Sequence, residues 1–189
     1  MTLSSDQAAE SLKEIDRTGR RSAQAYGYAN ASPFFVMWGV IWMIGYTGSD
    51  LYRHYANLLW TVLTLAGLAG TIVIGRARAR AGQPHPGINH YAGIRFLTTF
   101  LAVGVFIAAT FAIFGHATGE QQAAFTPLIV ALAYAVVGIW KGPRFLVTGI
   151  AVAALTLGGF FLLHQHFMLW MAAVGGSALV LAGLWLRAV

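Results

Sequence analysis

The sequence has no cysteine, only six acidic residues, and 10% charged residues in 189 positions. Each shortage excludes something. Without cysteine there are no disulfides, no thiolate metal centre and no cysteine nucleophile, and the redox compartment stays open. A water-soluble domain carries about 25% charged residues, so this chain lacks the charge to cover a surface facing water. No phosphate-cradling glycine loop, no His-Glu-x-x-His and no serine elbow occurs, which argues against ATP hydrolysis, intramembrane proteolysis and enzymes generally. The N-terminus does not read as a secretory signal, because Asp6, Glu10, Glu14 and Asp16 lie among its basic residues.

Apolar side chains are abundant: 58% of the residues are hydrophobic and the mean hydropathy is +0.66. They fall into six runs, at 33–51, 57–75, 96–115, 124–140, 145–163 and 167–186. None contains lysine, arginine or histidine, and Asp50, at the edge of the first, is the one acidic residue. About 20 apolar residues in a helix cross the hydrocarbon core. Backbone groups in lipid must pair within their own segment, so these runs predict helices. The expected fold class is an all-α integral membrane protein with six transmembrane helices. Residues 1–31 form a separate amphipathic helix before a membrane domain over 32–189. No buried carboxylate or basic group offers a proton relay. The threonines within the spans can return hydrogen bonds to their own helices.

The net charge of +6 comes from twelve basic residues, and all but Arg53 fall before the first run, in even-numbered loops or after the last run. This asymmetry predicts both termini in the cytoplasm of a bacterial-type inner membrane. It also assigns the basic residues to topology and to anionic headgroups rather than to nucleic acid.

Residues 4–30 carry a weak apolar stripe through Ala8, Leu12, Ile15, Gly19, Ala23 and Tyr26 on a charged helix. Two readings stand: an anchor lying on the inner leaflet, and a docking helix for a cytoplasmic protein. Ser32 is placed to cap the first span, with Pro33 in its first turn.

A shift of 110 residues lays Pro33, Gly39, Gly48, His54 and Trp60 on Pro143, Gly149, Gly158, His164 and Trp170. A shift of 49 lays Arg95-Phe96-Leu97 on Arg144-Phe145-Leu146. The simplest account is three repeated hairpins of one sense, which differs from the inverted repeats of many secondary transporters. In size and layout the chain resembles the acid-resistance membrane proteins of the HdeD type. In size and helix number it resembles the substrate-binding components of energy-coupling-factor vitamin transporters. Pairs of small residues four apart, such as Ala66 with Gly70 and Ala154 with Gly158, suit close helix contacts within the chain or in a homo-oligomer.

The candidate chemistry lies at the outer turns, with His54 at the first, His116 at the second, and His164 and His166 at the third. Asp50 and Glu120 share that side. Packed around a common axis, these groups would suit a divalent metal such as Zn²⁺, Cu²⁺ or Ni²⁺. The plainer reading is that histidine is a tolerable polar residue in an interfacial turn, and the spacing matches no specific zinc motif. The loop at 82–91, rich in proline, glycine and histidine, reads either as a cytoplasmic gate or as a stiffened connection. Together these features predict a binding or transport module for a small molecule or metal, without catalysis and dependent on a partner. A membrane sensor signalling through the N-terminal helix is the alternative. A structural or stress-related protein with no ligand is a third.

Overall fold

A computed structural model describes residues 5–80, 92–115 and 117–188, with side chains from residue 10 onward except at 79 and 92–97. The loop at 82–91 and His116 lie outside the described residues. Six helices are present: α1 (Ser5–Leu51), α2 (Ala56–Arg80), α3 (Ala92–Phe114), α4 (Gly119–Lys141), α5 (Pro143–Leu162) and α6. The last begins as Phe167–Trp170, widens to a π-helical turn over Met171–Gly176 and returns to α over Ser177–Arg187. Among the described residues four stretches are long and apolar enough to cross a membrane: Arg53–Arg78, Gly119–Lys141, Pro143–Leu162 and His164–Arg187. Their outward side chains are large and apolar. Ile139, Trp140 and Phe161 are each more than 70% exposed, an exterior suited to lipid rather than water.

One expectation needs correction. Ser32 does not cap a new helix and Pro33 does not open one, because α1 runs unbroken from Ser5 to Leu51. At 1.5 Å per residue it is about 70 Å long, more than twice the thickness of a hydrocarbon core. Residues 10–23 are exposed throughout. The N-terminal segment is therefore continuous helix with the first apolar run and no separate element. Proline inside a helix removes one hydrogen bond and crowds the preceding turn. Here the lost bond would have reached the carbonyl of Ala29. Arg78 of α2 supplies the replacement: Nη2 donates to Ala29 O at 3.2 Å, and Nη1 donates to Asn30 O at 2.6 Å and Asn30 Oδ1 at 2.8 Å.

The same solution recurs in α4. Pro127 lies inside that helix and frees the carbonyl of Ala123, which accepts a 2.7 Å hydrogen bond from the Tyr46 hydroxyl of α1. In each case another helix pairs the backbone group that proline orphans, as an apolar surround requires.

Glycines set the closest approaches. Gly39 of α1 crosses Gly176 of α6, where a Cβ on Gly39 would sit 2.8 Å from Gly176 O. Seven residues along each helix, a Cβ on Gly183 would sit 2.9 Å from Ser32 O. The π-helical turn brings Gly176 to this crossing, and Ser177 Oγ returns a hydrogen bond to Ala173 O. A single residue, Gly142, links α4 to α5 at a φ of 135°, a conformation open to glycine. Gln24 and Tyr28 of α1 cover this turn. Gln24 Nε2 donates to Lys141 O at 3.4 Å, and Arg144 N donates to the Tyr28 hydroxyl at 3.3 Å. The Arg144 guanidinium lies over the rings of Tyr28 and Trp185 and donates to Trp185 O at 2.6 Å. Residues 24–30, Arg78, Arg144 and the end of α6 thus share one end of the bundle, called the basic end below. The turns at Arg53–Tyr55 and His164–His166 lie at the other.

Those two turns are built alike. Each is a three-residue 3₁₀ turn between long helices. Beside each, a tryptophan from the second helix is tied back to the first. Trp170 Nε1 donates directly to Leu155 O at 2.9 Å. Trp60 Nε1 donates at 2.9 Å to Ser49 Oγ, which itself donates to Gly45 O at 2.8 Å. Within the spans, Thr61, Thr110, Thr148 and Thr156 each bond the carbonyl four residues earlier, as expected.

Candidate functional site

A cleft of about 770 Å³ opens at the end of the bundle opposite the basic end, among α1, α2, α3, α4 and α6. One wall is the α1 stripe Trp42, Tyr46 and Ser49, spaced four and three apart, and Arg53 joins it from the 3₁₀ turn that follows α1. This is the spacing that keeps side chains on one helical face. Asn57 and Trp60 come from α2, Ile107 and Phe111 from α3, and Thr126 from α4. The N-terminal turn of α4 brings Glu120 and Gln122 to the mouth. That turn is held by a capping box, in which Thr118 Oγ1 accepts from Gln121 N and Gln121 Oε1 accepts from Thr118 N.

The deep part is aromatic and rigid. Trp42 meets Tyr46 edge-on at 6.0 Å, and Tyr46 meets Trp60 edge-on at 5.1 Å. Edge-to-face contacts of this kind add to simple burial. Hydrogen bonds hold the Tyr46 hydroxyl on Ala123 O and Trp60 Nε1 on Ser49 Oγ. The mouth is polar, with Arg53, Asn57, Glu120 and Gln122. Glu120 is engaged, since its Oε2 lies 2.9 Å from His164 Nε2. No carboxylate lies within 4 Å of Arg53 among the described residues. The cleft therefore joins an aromatic floor to a mouth carrying an uncommitted guanidinium.

α3 forms the loosest wall. It meets the bundle through Trp38–Phe100, with ring centroids 6.3 Å apart, and Phe111–Phe125, at 5.3 Å. Leu101, Val105, Phe106 and Ile113 remain exposed along it.

The residues singled out from sequence scatter around this cleft. Glu120 lines it, and His164 touches it through Glu120. His54 packs edge-on against Tyr55 at 5.0 Å in the first turn. His166 is exposed in the third turn and Asp50 is half-buried near the end of α1. Among the described residues no three of His, Asp and Glu come together. Sequence reasoning passed over Trp42, Tyr46, Ser49, Arg53 and Asn57. The available signal was the α1 stripe itself, which mixes aromatic and polar groups where an ordinary packing face would be aliphatic.

Comparison with protein families, curated proteins and solved structures finds no match for this chain.

Proposed function

We propose that the chain crosses a bacterial-type plasma membrane six times, with both termini cytoplasmic, and binds a small amphipathic anion in the cleft at its outer face. The observation that carries this reading is the pairing of the rigid Trp42–Tyr46–Trp60 floor with the unpaired Arg53 at the mouth. Small-molecule sites combine a mostly apolar concavity with a few placed polar groups in this way. The module is non-enzymatic, and energy for any transport comes from a partner.

Several observations support six crossings. The apolar part of α1 packs along α6 through Gly39 and Ser32. The apolar part of α3 described here, Thr98–Phe114, connects to an equally helical start at Ala92. The alike turns at Arg53–Tyr55 and His164–His166, each with its tied tryptophan, support a repeated hairpin. The basic end, with Arg78, Arg144 and Arg187, takes the cytoplasmic side by the positive-inside tendency.

The test is native mass spectrometry on protein purified in a mild detergent, together with thermal stabilisation by octanoate and phenylacetate. The expected result is a retained small anion, or a rise in midpoint with either carboxylate, that falls several-fold in Arg53→Gln and disappears in Thr126→Trp, which fills the cleft. No retained molecule and no stabilisation by either carboxylate, or equal stabilisation of Thr126→Trp, would count against the reading.

A further inference from the structure

A second cleft, of about 960 Å³, lies at the basic end between α1, α2 and α6. Asn30, Ser32 and Pro33 form its α1 wall, Arg78 enters from α2, and Arg187 closes it from the last turn of α6. We propose that this cleft binds a phosphate-bearing anion, supplied in a membrane by the headgroup of an anionic phospholipid.

The argument starts from charge. Two guanidinium groups face one cavity, and among the described residues no carboxylate lies within 4 Å of either. All six acidic residues of the chain lie elsewhere in sequence: four before residue 17, with Asp50 and Glu120 toward the opposite end. Two like charges lining one cavity with no carboxylate beside them among the described residues repel each other, and a bound anion removes that cost.

Geometry adds to this. Arg78 does not wander. Its two Nη atoms are held by Asn30 O, Asn30 Oδ1 and Ala29 O, the last being the carbonyl that Pro33 leaves free. A guanidinium has five N–H donors. Three are used in these bonds, so Nε and one hydrogen of Nη2 remain for a ligand. A guanidinium held in place with donors to spare suits the oxygen pairs of a phosphate. Carbonyl acceptors neutralise none of its charge. The walls are mixed in the way a lipid headgroup needs, with Val36, Met37 and Leu184 toward the apolar part of the cleft. Basic pockets between helices on the cytoplasmic side are suited to anionic headgroups.

The phosphate chemistry stands without the membrane reading; only the lipid as its source rests on that reading. Purified full-length protein in a neutral detergent is to be titrated with phosphatidylglycerol, phosphatidylcholine and inorganic phosphate, with binding read by native mass spectrometry and thermal midpoint. Phosphatidylglycerol is expected to stay bound and raise the midpoint, with phosphatidylcholine at least fivefold weaker. Arg187→Gln is expected to weaken phosphatidylglycerol about fivefold, the worth of one basic side chain at a lipid surface, while the lipid-free midpoint holds or rises slightly as the repulsion from Arg78 is relieved. Equal stabilisation by inorganic phosphate supports the anion site with a soluble source in place of lipid. Equal binding of the two lipids with no response to phosphate, or phosphatidylglycerol binding unaffected by Arg187→Gln, overturns the proposal.

Discussion

Gly138→Ala costs about 3 kcal/mol, the upper end of what overpacking normally produces. The reason is the identity of the atoms opposite. A Cβ at this position falls on the backbone nitrogen of Leu146 and lies 2.6 Å from its Cα. Backbone cannot rotate aside as a side-chain tip can, so α4 and α5 must separate. They have little freedom to do so. Gly142 joins them with one residue, and a Cβ on Gly149 would lie 2.6 Å from Ala131 O and 2.7 Å from Ala135 N. Reversible unfolding by SDS in mixed micelles measures the loss. Gly158→Ala is the control, because nothing lies within 4 Å of a Cβ there; it is expected to be neutral or to stabilise α5 slightly through helix propensity. Equal effects of the two substitutions would show that α4 and α5 do not pack as closely as described.

Arg78→Gln is the second large effect, at about 2 kcal/mol. It removes a charged donor from three hydrogen bonds at once, and bonds to charged groups are among the stronger ones. Two of the three acceptors are backbone carbonyls of α1 in the turn disturbed by Pro33. The size of the effect therefore depends on that proline. In a Pro33→Ala background the helix recovers its own N–H donor to Ala29 O, so Arg78→Gln should cost at least about 1 kcal/mol less there. A double-mutant cycle reads this coupling directly. Additive effects would mean that Arg78 does not serve the carbonyl that Pro33 frees.

Much of the helix layout was legible in the sequence. The bounds of α2, α4, α5 and α6 follow the apolar runs to within a few residues, because the length of an uncharged run is itself the physical requirement for crossing lipid. The continuity of α1 was not legible. Pro33 after Ser32 has the local chemistry of a helix start, and the donor that lets it sit inside a helix is Arg78, 45 positions later. The Tyr46–Ala123 bond that accommodates Pro127 is hidden in the same way. Local sequence reports the loss of a hydrogen bond at proline and says nothing of who replaces it.

The candidate site was legible only in fragments. Glu120 was picked out as a polar group on the right side, and it does line the cleft. His164 was expected on the same side as Glu120, and the two pair. Histidines near turns say which end of a bundle they occupy. They do not say how far apart the turns stand, which depends on how helices from different hairpins pack. The α1 stripe of Trp42, Tyr46 and Ser49, with Arg53 in the turn after it, was available as a pattern, but its partners on α2, α3 and α4 are set by tertiary packing.

The proposed orientation puts the aromatic cleft outside and the arginine cleft inside, and the absence of cysteine makes it directly measurable. Single substitutions His54→Cys, His166→Cys and Arg187→Cys, each the sole thiol in the chain, are exposed to a membrane-impermeant maleimide on intact cells and again after lysis. Positions 54 and 166 should label on intact cells, and position 187 only after lysis. Labelling of position 187 on intact cells, with 54 and 166 silent until lysis, would contradict the assigned orientation.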